Sequence, residues 1–293
     1  MSVECTDAMG VRVALARPAM RVVSLVPSQT ETLFALDRGH RLVGRTQYCV
    51  EPKGRIENVP AIGGTKDADC EAIIALAPDL VFANQEENTP EIVKRLRDAG
   101  IAVHVSFPKT VEEAAELVHA MARLLGVDER HAAIEAMDAG IASANEARKR
   151  VVPVRVFCPI WMEPLMTIHG ETFISDVLDL AGGANIFADR TRRYPLAADL
   201  GLRAPLPPER VKGRDVRYPR VTLDEVVARA PEVILLPDEP HPFSERDAEV
   251  FRALDVPAAR HGRVHFVDGK DVCWYSPRMA AGISRVARWL EGS

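Results

Sequence analysis

Apolar positions in this chain fall into short continuous runs separated by amphipathic stretches that end at Gly or Pro. The clearest case is residues 71–87, EAIIALAPDLVFANQEE, and the pattern returns from residue 224 as DEVVARAPEVILLPDEP. Ala75, Ala77 and Pro78 recur as Ala228, Ala230 and Pro231, while Glu71 falls on Asp224 and Asp79 on Glu232. Each copy predicts a short helix with one apolar face (Ile73, Ile74, Leu76; Val226, Val227), stopped by a proline that cannot continue the hydrogen-bond ladder. A buried parallel strand follows as an unbroken apolar run (80–83; 233–236), then an acidic loop. Open α/β sheets bind ligands at that carboxyl end of the strands. Two such copies half a chain apart predict two similar lobes.

The remaining pattern fills in both halves. Residues 11–15 alternate weakly, as an edge ribbon does; 21–26, 42–45 and 101–105 read as strands. Ser28-Gln-Thr-Glu31 predicts a capping box opening a helix through Leu36, and further caps are expected at 88–91 and 110–113. Residues 128–150 contain no proline and place Ile134, Met137 and Ile141 at helical spacing. One helix over that stretch would run about 34 Å, long enough for a rigid connector; the alternative is an ordinary covering helix. The second half restarts with a strand at 154–157 and a helix at 172–180, followed by a capped helix from Thr222, a helical 243–254 and a strand at 263–267. Ser276-Pro277 is expected to open the last helix. Residues 188–220 break the symmetry, with five prolines, eight arginines and two tyrosines and no periodicity. A loop of that length inside a domain is functional or mobile. The order predicts an α/β fold: lobes at residues 1–126 and 151–293, each with a parallel sheet, and a bridging helix over 127–150.

Composition narrows the classes. The chain has 293 residues, 47% of them apolar, and a net charge of −5 with no basic run, which argues against a nucleic-acid surface. No stretch approaches the roughly 20 apolar residues that span a bilayer. The first 25 residues hold Glu4, Asp7 and Arg12 and no apolar h-region, so Met1 as the true start implies a cytoplasmic protein. Five scattered cysteines without a CxxC pair predict free thiols.

RVVSLVPSQTETLFAL, then LVGRTQY, then GG with EAIIALAPDLV, and later GGANIF and SPR, resemble the class III substrate-binding proteins of ABC importers, or helical-backbone metal receptors. That family binds cobalamin, haem and ferric siderophores, and the cobalamin-binding branch is the nearest pattern. The resemblance spans about residues 7–290. It implies two Rossmann-like lobes bridged by one long helix, a corrinoid or metal chelate held between the lobes, no intrinsic cofactor, an ABC permease as partner, a monomer, and a periplasmic or extracellular location. It also implies that one acidic residue per lobe docks into permease arginines; Glu71 and Asp224 match those positions. Carboxylates near helix amino ends also simply favour the helix dipole, which is the alternative reading. Tyr48 and Tyr218 match aromatic pocket positions of the cobalamin branch, Tyr218 standing where that branch has Trp. A first-lobe pocket tryptophan is replaced near Gly63-Gly64, and 188–220 is an insertion.

Independently of the resemblance, loops after strand ends nominate Gln47, Tyr48, Gly63, Gly64, Glu86, Glu87 and Asn88 from the first half. From the second they nominate Trp161, Met162, Glu163, His169, Tyr194, Tyr218, Asp238, Glu239, His241, Trp274 and Tyr275. Flat aromatic walls suit a macrocycle or catecholate; core packing is the alternative for each ring. Acidic Glu86, Glu87, Asp238 and Glu239 suit the amides of a ligand that brings its own metal, since no HxxxH on a helix and no HxH supports a direct protein–metal bond. Arg190, Arg192 and Arg193 are candidates for ligand carboxylates or for a solvated loop face. No GxSxG, P-loop, HExxH or GxGxxG is present, and no base is placed beside Ser28 or Thr30, so no enzyme is expected. The alternative is a cytoplasmic homologue that stores, senses or processes a corrinoid, tetrapyrrole or chelate.

Overall fold

Pro78 and Pro231 mark the same structural event in two separate units of the computed structural model, which describes residues 2–291. The first unit comprises residues up to 108, 112–139 and 274–277; the second comprises 109–111, 140–273 and the chain from 278 onward.

In the first unit, β1 (Val3–Thr6) and β2 (Arg12–Leu15) form an antiparallel ribbon. Then come β3 (Val22–Ser24), α1 (Pro27–Ala35), β4 (Leu42–Arg45), α2 (Cys70–Ala75), β5 (Leu80–Asn84), α3 (Pro90–Asp98), β6 (Ala102–Ser106) and α4 (Val111–Leu124). The four strands pair in parallel in the order β4-β3-β5-β6. Every residue of β5 is buried, which is why its sequence is a continuous apolar run rather than an alternating one. Val23, Ile62, Ile73, Val81, Leu96 and Val103 form the core on one side of this sheet. The ribbon is tied down by buried Asp7, whose carboxylate takes the Arg97 guanidinium at 2.7 Å and the amides of Met9, Val11 and Val105.

Helix α5 (Ala132–Arg148) belongs to the first unit through residue 139 and to the second from residue 140. It starts at Ala132 rather than at 128, because Asp128 forms a turn instead: its carboxylate accepts the Arg130 amide and its carbonyl accepts that of His131.

The second unit contains β7 (Val154–Phe157), β8 (Pro159–Trp161), β9 (Met166–Thr167), α6 (Phe173–Leu180), β10 (Gly183–Asn185), α7 (Leu196–Asp199), α8 (Pro208–Val211) and α9 (Leu223–Ala228). These are followed by β11 (Val233–Pro237), α10 (Glu245–Arg252), α11 (Pro257–Arg260), β12 (Val264–Val267), α12 (Lys270–Cys273) and α13 (Met279–Glu291). The parallel order β10-β7-β11-β12 repeats that of the first unit: second strand, first, third, fourth. Phe157 packs between Phe187 and Phe251, with ring centroids 5.5 and 5.9 Å away, at the heart of its core.

The repeated segment is a repeated set of bonds. After α2 and α9 the chain passes through left-handed backbone at Ala77 (φ 44°) and Ala230 (φ 41°), directly before the prolines. The helix carbonyls left open there are taken by an arginine from the start of the unit's first strand. Arg21 donates to Leu76 and Ala77; Arg155 donates to Arg229 and Ala230. Asp79 and Glu232 return the bond, accepting the backbone amides of Arg21 at 3.0 Å and Arg155 at 2.9 Å. Two expected helix starts differ. Pro27 begins α1 with Val26 as the cap, so Ser28 lies inside the first turn with an unpartnered hydroxyl, and Glu31 accepts from Ser276 at 2.6 Å instead of closing a capping box. Ser276 is thus buried in that bond, and α13 opens at Met279.

Candidate functional site

The carboxyl ends of both sheets carry the nominated residues, and each unit builds its own surface there. In the first unit the loop after β5 is shaped by two asparagines. Asn84 accepts the amides of Glu86 and Glu87 at 2.7 and 3.2 Å, an Asx-type turn. Asn88 accepts the Asn84 amide at 2.8 Å and donates to the Thr65 carbonyl at 2.9 Å. It is buried, so this nominated residue is the bracket and not a free contact. The bracket joins the 84–88 loop to the 63–67 loop, which also accepts the Gln47 amide at the Gly63 carbonyl, 2.8 Å away. Lys66 donates to the Glu86 carbonyl from the same side. Tyr48 is brought to this surface with 55% of its area exposed. Its ring edge lies over Gly64, where a Cβ would meet Tyr48 at 3.3 Å and the Asp67 carboxylate at 2.3 Å. A glycine there is what lets the aromatic face lie flat. Burial pushes the Glu87 carboxyl up, against the pull of Lys66; Glu86 pushes the same way as burial, and a hydrogen bond with Thr65 opposes it.

In the second unit the β8–β9 hairpin presents Trp161, 43% exposed, with its indole nitrogen donating to the Glu163 carbonyl at 3.1 Å. The ring packs against His241 at a tilt of 55° with centroids 5.3 Å apart, and His241 in turn meets Phe243 edge-on at 4.7 Å. Asp238 accepts the Gly269 amide at 2.6 Å, and the Cys273 thiol lies 3.9 Å from the Glu239 carboxylate. His169 lies opposite Arg217, next to Tyr218 in the chain, because residues 165–169 pair with 217–221 through backbone bonds, including His169 N–H to the Arg217 carbonyl at 2.7 Å. Trp274 and Tyr275 belong to the first unit; Tyr275 is half-buried, whereas Trp274 is only 6% exposed and so packs as a core ring.

Arg190 is not a loop-face residue. It is buried, donating to Asp199 at 3.0 Å and Glu225 at 3.1 Å, and Asp199 also accepts the amides of Arg193 and Arg220. This ion pair gathers the insertion, which holds α7 and α8 and is neither helix-like nor strand-like in its sequence pattern. Reasoning from sequence also passed over Thr65 and Lys66; an isolated threonine and lysine carry no pattern until the asparagine bracket brings them to the loop. Among the described residues no group of three or more His, Cys, Asp or Glu is placed to hold a metal ion, and no helix is long and apolar enough to cross a membrane.

Glu71 and Asp224 occupy the same place in their helices, two residues after the caps Asp69 and Thr222, and both are exposed. Glu71 pairs with Arg95 of α3.

The periplasmic binding protein family profile matches residues 22–269. A vitamin B12-binding protein of Vibrio cholerae serotype O1 is 27% identical over 286 residues, 94% of this chain and 90% of that protein. A vitamin B12-binding protein of Yersinia pestis is 30% identical over 224 residues, 75% of this chain and 70% of that one. The solved structure of the periplasmic heme-binding protein RhuT from Roseiflexus sp. RS-1 superposes with a TM-score of 0.74 at 22% identity, covering 93% of this chain and 98% of that one.

Proposed function

The chain belongs to the periplasmic binding protein family, and on that premise we propose that it holds a corrinoid or a comparable metal chelate and delivers it to an ABC-type importer. The family consists of periplasmic solute-binding proteins, which are not enzymes. The observation that carries the reading is the pairing of an open aromatic face with carboxylates at the strand ends of each unit. Tyr48 lies against Gly64 in the loop that the asparagine bracket joins to Glu86 and Glu87; Trp161 packs on His241, with Asp238 and Glu239 in the loop after β11. Aromatic faces bury the flat, largely apolar body of a macrocycle without demanding exact direction. Ionised carboxylates only accept hydrogen bonds, so they match the N–H groups of peripheral amides. His169, Tyr218 and Tyr275 are assigned as further contacts, while Trp274 is buried. Glu71 and Asp224 are assigned to docking on the importer, and the periplasm is the place of action.

Titration calorimetry with cyanocobalamin, cobinamide, haem and a ferric siderophore tests this directly. A ligand at 100 times its dissociation constant also stabilises the fold by about 2.7 kcal/mol. Trp161→Ala is expected to weaken binding about tenfold or more and to remove most of the ligand-induced fluorescence quenching. Saturable binding that Trp161→Ala and Tyr48→Ala both leave intact would place the ligand elsewhere.

A further inference from the structure

The 188–220 insertion holds nine Lys and Arg against four Asp and Glu, in a chain whose net charge is −5. Some of that charge is used internally: Arg190 by Asp199 and Glu225, Arg217 by Asp215. Of the six arginines not used in this way, three lie near one another. The Arg192 and Arg214 guanidinium groups lie 4.5 and 5.0 Å from the centroid of the Tyr194 ring. That ring is fixed by its hydroxyl, which donates to the Asp215 carbonyl at 2.7 Å. Arg220 lies within electrostatic reach of Arg192, of the Asp199 carboxylate that Arg190 already engages, and of Tyr194, and its Nε and Nη1 are buried without an acceptor among the described residues. None of these three guanidinium groups forms an ion pair among the described residues.

Like charges brought together, with buried N–H groups left unmade, are costly by themselves. A neutral acceptor would satisfy the N–H groups but not the charge, and a cation would be repelled. An oxyanion meets both demands, and a tetrahedral phosphate offers oxygens in several directions where a carboxylate offers them in one plane. We propose that Arg192, Arg214 and Arg220, gathered round Tyr194, form an oxyanion site that takes a phosphate or phosphodiester. The site shares its floor with the candidate ligand surface. Arg220 bridges to Met166, and the same pairing sets His169 opposite Arg217. The phosphate therefore has two sources: the free anion, or a phosphodiester carried by the bound molecule, such as that in the nucleotide loop of a complete corrinoid. The second source rests on the function proposed above.

Two arms of one experiment separate them, using the full chain, Arg220→Gln, and the double variant Arg192→Gln with Arg214→Gln, each checked for an unchanged thermal midpoint in chloride. In the first arm inorganic phosphate is expected to raise the thermal midpoint saturably, beyond chloride at equal ionic strength, and both variants lose that shift. In the second, cyanocobalamin is compared with dicyanocobinamide, which lacks the nucleotide loop. A loss of about tenfold in cyanocobalamin affinity with cobinamide unchanged assigns the phosphodiester of the ligand. A phosphate effect lost in the variants while both corrinoids bind as before assigns the free anion. The site is overturned if phosphate acts no differently from chloride and the variants treat both corrinoids alike, or if the phosphate effect survives both variants. If neither corrinoid binds, the proposed function fails and the phosphate arm alone decides the site.

Discussion

His104 shows what a single buried group does to the molecule. It sits in β6 at 3% exposure, with Nδ1 unpartnered, and its pKa is lowered from 6.5 to about 4. Burial is the main cause; Asp7 pulls the value up and Arg97 pushes it down. Between pH 6.5 and 4 the unfolded chain therefore holds a proton that the folded chain refuses. Stability from this group is present above pH 6.5 and is lost as pH falls through that window, by about 3 kcal/mol at its lower end. Urea unfolding at pH 7 and pH 4.5 should show the loss in the native chain and a smaller one in His104→Leu; equal pH slopes would refute the assignment. The residue scale is also where sequence reading is weakest. Tyr48 and Trp161 were legible as aromatics in loops after strands, and both are open faces. Trp274 has the same local signature yet is buried, because exposure depends on neighbours from distant segments.

At the scale of elements, the repeated turn carries its own prediction. Ala77 and Ala230 sit in left-handed backbone, which costs an L-residue with a Cβ about 1–2 kcal/mol. Ala77→Gly and Ala230→Gly should each stabilise by about 0.5–1 kcal/mol after the added flexibility of the unfolded chain is counted, read from denaturant midpoints. Destabilisation by both would show that the methyl groups pack more than the backbone strains. The insertion makes a second case. Its order depends on the buried Arg190–Asp199 pair, and Asp199 also accepts two amides. Removing one partner of such a pair leaves the other charge uncompensated, so Asp199→Asn should cost about 3 kcal/mol and open the segment. Hydrogen exchange confined to residues 188–220 would register the opening; unchanged protection there would count against the pair as the organiser. Composition made the segment look like an arginine-rich surface loop, because a buried ion pair leaves no periodic trace.

For the whole molecule, the duplication places the exposed acids Glu71 and Asp224 at the same position of equivalent helices, one in each unit. Charge reversal at both (Glu71→Lys, Asp224→Lys) should leave ligand affinity unchanged and abolish stimulation of the importer's ATPase in a reconstituted system. Normal stimulation by the double variant would remove the docking assignment. The sequence by itself determined the α/β class, the parallel strands and the internal duplication. It could do so because burial on both faces writes continuous apolar runs, and a proline before such a run writes the end of a helix. Strand boundaries at 42–45 and 154–157 were readable to the residue as well. Tertiary structure alone decided which loops meet. The asparagine bracket that sets Glu87 beside Thr65, the tilted packing of Trp161 on His241, and the approach of Arg192 and Arg214 to Tyr194 all join residues without a shared local pattern. Local periodicity records which side of an element is buried; it carries no record of which distant side chain completes a hydrogen bond or a charge.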